Sequence, residues 1–107
     1  MTFTIDTIRL CILLESLPGI RQVAWQLVDS AGSVGSNHRA MRRARSDREF
    51  TAKLQIVNEE ADESVFWLEV IHAIYPNAAD ALPRLLKEGM ELRRIFAKAR
   101  STNRQRP

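Results

Sequence analysis

Along residues 46–75 the apolar side chains Phe50, Leu54, Val57, Ala61, Leu68, Ile71 and Tyr75 return at steps of three and four, with Ser64 standing in the same seam. That is the period of a helix burying one face; a half-buried strand needs strict alternation. Ser46-Asp47-Arg48-Glu49 opens the segment as a capping box, in which the Ser46 hydroxyl accepts from the Glu49 amide and the Glu49 carboxylate reaches back to the Ser46 amide. Pro76 has no amide donor and restricts Tyr75, so the spacing predicts a helix over 46–74.

The preceding segment carries Ile20, Val23, Leu27, Ala31, Val34, His38 and Met41 at the same steps, which predicts a helix over 19–43. A second stripe on it, Gln26, Ser30, Ser33, Asn37, Ala40 and Ala44, is small and polar. Gly32 and Gly35 each cost about 1 kcal/mol against Ala inside a helix, so close packing or a polar contact must compensate. A phosphate-binding glycine loop would need a strand before it, and none is predicted. Upstream, Phe3, Thr7, Leu10, Leu14 and Leu17 form a seam over 2–16, and Ile5, Ile8, Ile12 and Leu13 make that helix apolar on other sides too. The last helix is predicted over 80–100, with Pro83 in its first turn, and 101–107 as a frayed tail. Four helices with three short connections fold most simply as one domain over 1–107, an all-α, up-down-up-down antiparallel four-helix bundle.

If helices two and three pair about a turn near Arg45, positions whose numbers sum to about 90 lie opposite one another, and Ser30 faces Glu60. Glu60 and Glu63 share a stripe with Ile56, Trp67, Val70 and Ile74, which draws their carboxylates partly inward, where a charge needs a partner. Gln26, Ser30, Ser33 and Asn37 supply donors on the facing helix, and the resulting polar strip would fix helix register. A solvated face and a catalytic acid pair are the alternatives.

Glu69-Val70-Ile71-His72 has the Glu-x-x-His spacing of di-iron bundles, but His38 has Gly35 three residues earlier, so the set lacks its second copy. Two histidines and one cysteine do not make a zinc set either. No catalysis, metal or cofactor is expected. Cys11, among Leu10, Ile12 and Leu13, reads as a buried thiol rather than a nucleophile, and an unpaired cysteine fits a reducing compartment. With 107 residues, 45% apolar and 27% charged, the chain is long enough for a single core and is neither disordered nor collagen-like. There is no secretory signal and no membrane-spanning run, so a cytoplasmic protein is expected.

Charge changes this picture most. Residues 39–53 set Arg39, Arg42, Arg43, Arg45, Arg48 and Lys53 against Asp47 and Glu49, a net +4, and residues 93–107 hold Arg93, Arg94, Lys98, Arg100, Arg104 and Arg106 without an acid, a net +6 in a chain of +3. In an up-down-up-down bundle both clusters fall at one end. Some arginine there is ordinary helix C-terminal chemistry or a solubilising surface. Concentration at one end raises the local potential, and arginine suits bidentate phosphate contact, so RNA or DNA backbone or an acidic protein is the expected partner, without base specificity. Trp25, Val28 and Gly32 lie off the main seam of helix two and, with the many-sided helix one, predict a homo-oligomer interface.

At Gln26-Leu27-Val28-Asp29-Ser30-Ala31-Gly32-Ser33-Val34-Gly35-Ser36-Asn37, Ser46 to Phe50, Lys53-Leu54, Glu60-Ala61-Asp62-Glu63, Trp67-Leu68, and on through Glu88, Glu91, Leu92 and Ile95, the chain resembles the "four helix bundle protein" family. That family is also called the S23 or 23S rRNA intervening-sequence protein. The resemblance implies a left-handed antiparallel four-helix bundle, often a homopentamer, without established catalysis. Its relative, the accessory variability protein of diversity-generating retroelements, forms a basic pentameric barrel that engages nucleic acid and a reverse transcriptase. By that similarity the expected function is a non-enzymatic accessory protein that binds nucleic-acid backbone or a nucleic-acid enzyme as a ring. The alternative is a scaffolding module with a protein partner and no nucleic-acid role.

Overall fold

A computed structural model describes residues 2–105, and each seam read above lies on a helix except for Leu17 and Tyr75, which stand just past the ends of theirs: α1 (Thr2–Leu14), α2 (Ile20–Arg42), α3 (Asp47–Ile74) and α4 (Ala81–Arg104). Together they form a four-helix bundle about 49 Å long and 19 Å across. Each helix packs against the next in the chain, and α4 closes against α1. Thr51 meets Asn103 and Asp62 meets Arg93, so numbers rise along α3 as they fall along α4. The pairs Phe3 with Gly89 and Asp6 with Arg84 set α1 against α4 in the same antiparallel sense.

The core has two parts. Phe3, Leu10, Leu14, Ile20, Leu27, Leu68, Ile71, Leu82 and Leu85 fill one, and Val34, Leu54, Val57, Ala61 and Phe96 fill the other. Burial of such side chains contributes about 1.5–3 kcal/mol each, which holds four amphipathic rods together.

The helix ends refine the expectations. Ser46 is extended, and its Oγ accepts from the Glu49 amide at 3.1 Å. The Glu49 carboxylate accepts from the Arg45 amide at 3.4 Å instead of the Ser46 amide, so the capping box is half formed. α1 stops at Leu14 rather than 16, where the Leu17 amide donates to the Leu14 carbonyl, and Gly19 at φ +79° turns the chain into α2. A left-handed residue of this kind is easiest for glycine. The far side of this end is closed by the Tyr75 hydroxyl, which donates to the Pro18 carbonyl at 2.8 Å.

The frayed tail is corrected for 101–104: α4 continues through these residues to Arg104. Asn103 Nδ2 donates to Thr51 Oγ1 at 2.8 Å, and this tether offsets the weak helix preference of Ser101, Thr102 and Asn103. The rest of that tail, Arg106 and Pro107, lies outside the described residues.

Candidate nucleic-acid interface

The Asn103–Thr51 tether sets the last turn of α4 beside the second turn of α3, and only four residues, 43–46, separate the end of α2 from the start of α3. Arg39, Arg42, Arg43, Arg45 and Arg48 therefore share one end of the bundle with Lys98, Arg100 and Arg104. Arg39, Arg42, Arg43, Arg45, Arg48 and Lys98 are exposed; Lys53 and Arg100 are half-buried. None of these eight site side chains forms an ion pair with a described residue.

Arg93 and Arg94 do not belong to this end. Arg93 donates to Asp62 at 3.2 Å, and Asp62 lies fifteen residues into α3, about 22 Å along the axis at 1.5 Å per residue. Both arginines line a groove between α3 and α4 with Glu59 and Asp62, so that surface is internally neutralised.

At the end of α2, a concavity of about 540 Å³ is lined by Gly35, Ser36, His38, Arg39, Arg42 and Arg43. The His38 ring is half-buried, 5.9 Å from the Phe96 ring and tilted by 57°. Burial first, and then the Arg42 charge, push its imidazole below the ordinary histidine range, toward the neutral form. Gly35 is held by packing: a Cβ there would stand 2.6 Å from Thr4 Oγ1, whose hydroxyl donates to the Ala31 carbonyl at 2.8 Å.

The polar strip differs from the sequence expectation. Ser30 meets Ser64, not Glu60: the Ser64 hydroxyl stands 3.0 Å from Ser30 Oγ and 2.9 Å from the Glu60 carbonyl, and its one proton serves either acceptor. Ser64 stands one turn past Glu60 on α3, and the inclination of Cβ atoms toward each helix's N-terminus shifts the contact in that direction by about one position per helix. Asn37 stays on its own helix, donating to the Ser33 carbonyl at 2.9 Å and Ser33 Oγ at 3.0 Å. No α2 donor reaches either carboxylate. Glu63 instead accepts from Trp67 Nε1 at 3.3 Å, and Gln26 is half-buried. Burial first, then Glu63, Glu59 and Asp29, raise the Glu60 carboxyl above the usual range. Sequence reasoning missed Ser64 as the partner; its signal was a lone hydroxyl in an otherwise apolar seam.

A separate apolar flank joins α1 and α2. Trp25 is 55% exposed and Ile12 66%; with Ile8, Ala24 and the half-buried Val28 they border a groove of about 180 Å³. Gly32 lies one turn further along α2, and a Cβ there would meet nothing within 4 Å. Cys11 also lines that groove, but burial pushes its thiol up to about 11, which leaves it protonated and unreactive at neutral pH. Among the described residues no cluster of three or more His, Cys, Asp or Glu could hold a metal ion, and no helix is long and apolar enough to cross a membrane.

No family profile matches the sequence, and no curated protein matches it. A solved structure does: a protein of unknown function from the S23 ribosomal protein family of Bacteroides thetaiotaomicron superposes with a TM-score of 0.81 over 92% of each chain, at 22% identity. The resemblance carried by the α2 and α3 motifs is thus accompanied by a likeness in fold, and the chain shares the four-helix bundle of an S23-family protein.

Proposed function

We propose that this protein is a non-enzymatic accessory factor that binds the backbone of RNA or DNA, or a nucleic-acid enzyme carrying such a strand, through the arginine-rich end of the bundle. One observation carries the reading: Arg39, Arg42, Arg43, Arg45 and Arg48 are exposed together without ionic partners among the described residues. Unneutralised arginine attracts phosphate at long range and grips it bidentately at short range. Copies associate through Trp25, Val28 and Gly32 into a homo-oligomer, a pentameric ring in the arrangement the family resemblance suggests, so that weak contacts act together. The work is done in the cytoplasm.

Fluorescence anisotropy with single-stranded RNA tests this. Binding weakens steeply between about 50 and 200 mM salt. Replacing Arg42, Arg43, Arg45 and Arg48 by Gln abolishes it, while replacing Arg9 and Arg21 leaves it unchanged. The exposed flank around Trp25 and Ile12 favours a second reading, a scaffolding module that meets another protein. Absence of RNA binding at low salt, with salt-insensitive capture of a protein through that flank, decides for the second.

A further inference from the structure

We propose that the concavity at the C-terminal end of α2 seats one phosphate group, on which Arg39, Arg42 and Arg43 converge. This rests on the reading that this end of the bundle meets a nucleic-acid strand, and it names which three arginines act as a unit.

Arg39, Arg42 and Arg43 stand at steps of three and four, so they share one helix face, and the concavity between them holds no carboxylate. Three other concavities that contain arginine each hold at least one: Glu59 and Asp62 beside Arg93 and Arg94, Glu15 beside Arg21, and, on the other side of Arg42, Asp47 beside Arg45. The guanidiniums are not engaged in capping either. Three of the last four α2 carbonyls, those of Arg39, Ala40 and Met41, accept from the backbone amides of Arg43 and Ala44. Like charges three and four apart destabilise a helix, and an anion placed between them reverses the sign of that interaction.

The remaining lining completes the donor set. A neutral imidazole keeps one N–H donor, and His38 is braced against Phe96 at the wall of the concavity. The Ser36 hydroxyl makes only a 3.4 Å bond to the Ser33 carbonyl and can turn toward a ligand oxygen. Guanidinium forks, a hydroxyl and an imidazole N–H together match the oxygens of a phosphate, whether free or within a strand.

Two measurements on the full chain test the seat. Inorganic phosphate, titrated in low-salt buffer, is followed by NMR of the arginine Nε–H groups and the His38 ring. Arg39, Arg42, Arg43 and His38 should follow one binding curve while Arg48 and Arg94 lag; equal movement of all arginines, or none, overturns the seat. In the second, oligouridylate affinity is measured against salt for the native chain and for the R39Q/R42Q/R43Q variant. One shared phosphate lowers the slope of log affinity against log salt by about 0.7, whereas three separate contacts lower it by about 2 and overturn the proposal. R39Q alone weakens binding about tenfold, and R42Q added to it much less than tenfold again. Phosphate binding without oligouridylate binding upholds the seat and removes the nucleic-acid reading. Oligouridylate binding with the larger slope change does the reverse.

Discussion

Asn103 Nδ2 donates to Thr51 Oγ1 at 2.8 Å across 52 residues of sequence, and this bond ties the last turn of α4 to the start of α3, beside the α2–α3 hairpin. Asn103→Ala removes it and leaves Ser101 and Thr102 to hold the last turn by propensity alone. The expected loss is about 0.5–1.5 kcal/mol, confined to that turn. Hydrogen exchange should speed up at residues 101–104 and remain unchanged at Leu54 and Val57.

The Ser30–Ser64 contact lies wholly inside the bundle, with the two residues 1% and 0% exposed. Ser64→Ala leaves the Ser30 hydroxyl with its bond to the Leu27 carbonyl and should cost about 1 kcal/mol in urea unfolding. Ser30→Ala should cost a similar amount. The double variant falls short of the sum by about 0.5 kcal/mol, because the shared bond is lost only once.

Two glycines of α2 should respond oppositely to alanine. At Gly35 a Cβ would stand 2.6 Å from Thr4 Oγ1 and 3.2 Å from Thr4 Cβ, so Gly35→Ala forces α1 away and destabilises by about 1–3 kcal/mol. At Gly32 nothing in the chain opposes a Cβ, and Gly32→Ala should stabilise the isolated chain by about 1 kcal/mol. If copies associate across this face as proposed, the same change weakens self-association in sedimentation velocity. Stabilisation without any effect on association removes Gly32 from the interface.

Glu60 gives a pH dependence with a definite sign. Its carboxyl is raised above 4.5 by burial and by Glu63, Glu59 and Asp29, so the folded state holds its proton more tightly than the unfolded one. Stability then falls as pH climbs from about 4.5 through the folded value. Glu60→Gln should raise the melting temperature at pH 7 and leave it nearly unchanged at pH 4. The largely solvated site keeps this gain below about 1 kcal/mol.

How far these features could be read in advance depends on how local their causes are. The bounds of α3 were legible because Ser46 and Pro76 act through their own backbone neighbours, and the observed helix runs Asp47–Ile74. The Ser30 partner was not, because it depends on the phase of two helices and the inclination of their Cβ vectors, which counting from the hairpin leaves out, and Ser64 sits one turn past the counted position. Ser101, Thr102 and Asn103 have the composition of a tail, and what keeps them helical is a hydroxyl on α3. Arg93 and Arg94 follow the same logic: charge counting groups them with Lys98 and Arg100, while the Asp62 carboxylate marks their place midway along the rod.

The two tips of the bundle are unlike: one is fastened by the uncharged Tyr75–Pro18 bond, the other is crowded with guanidinium groups. Symmetry turns that polarity into a choice. Copies related by rotation about the long axis would gather every cation on a single rim, a crown facing one direction. Copies related by a dyad across the axis would send half of them to each extremity and halve the field at either.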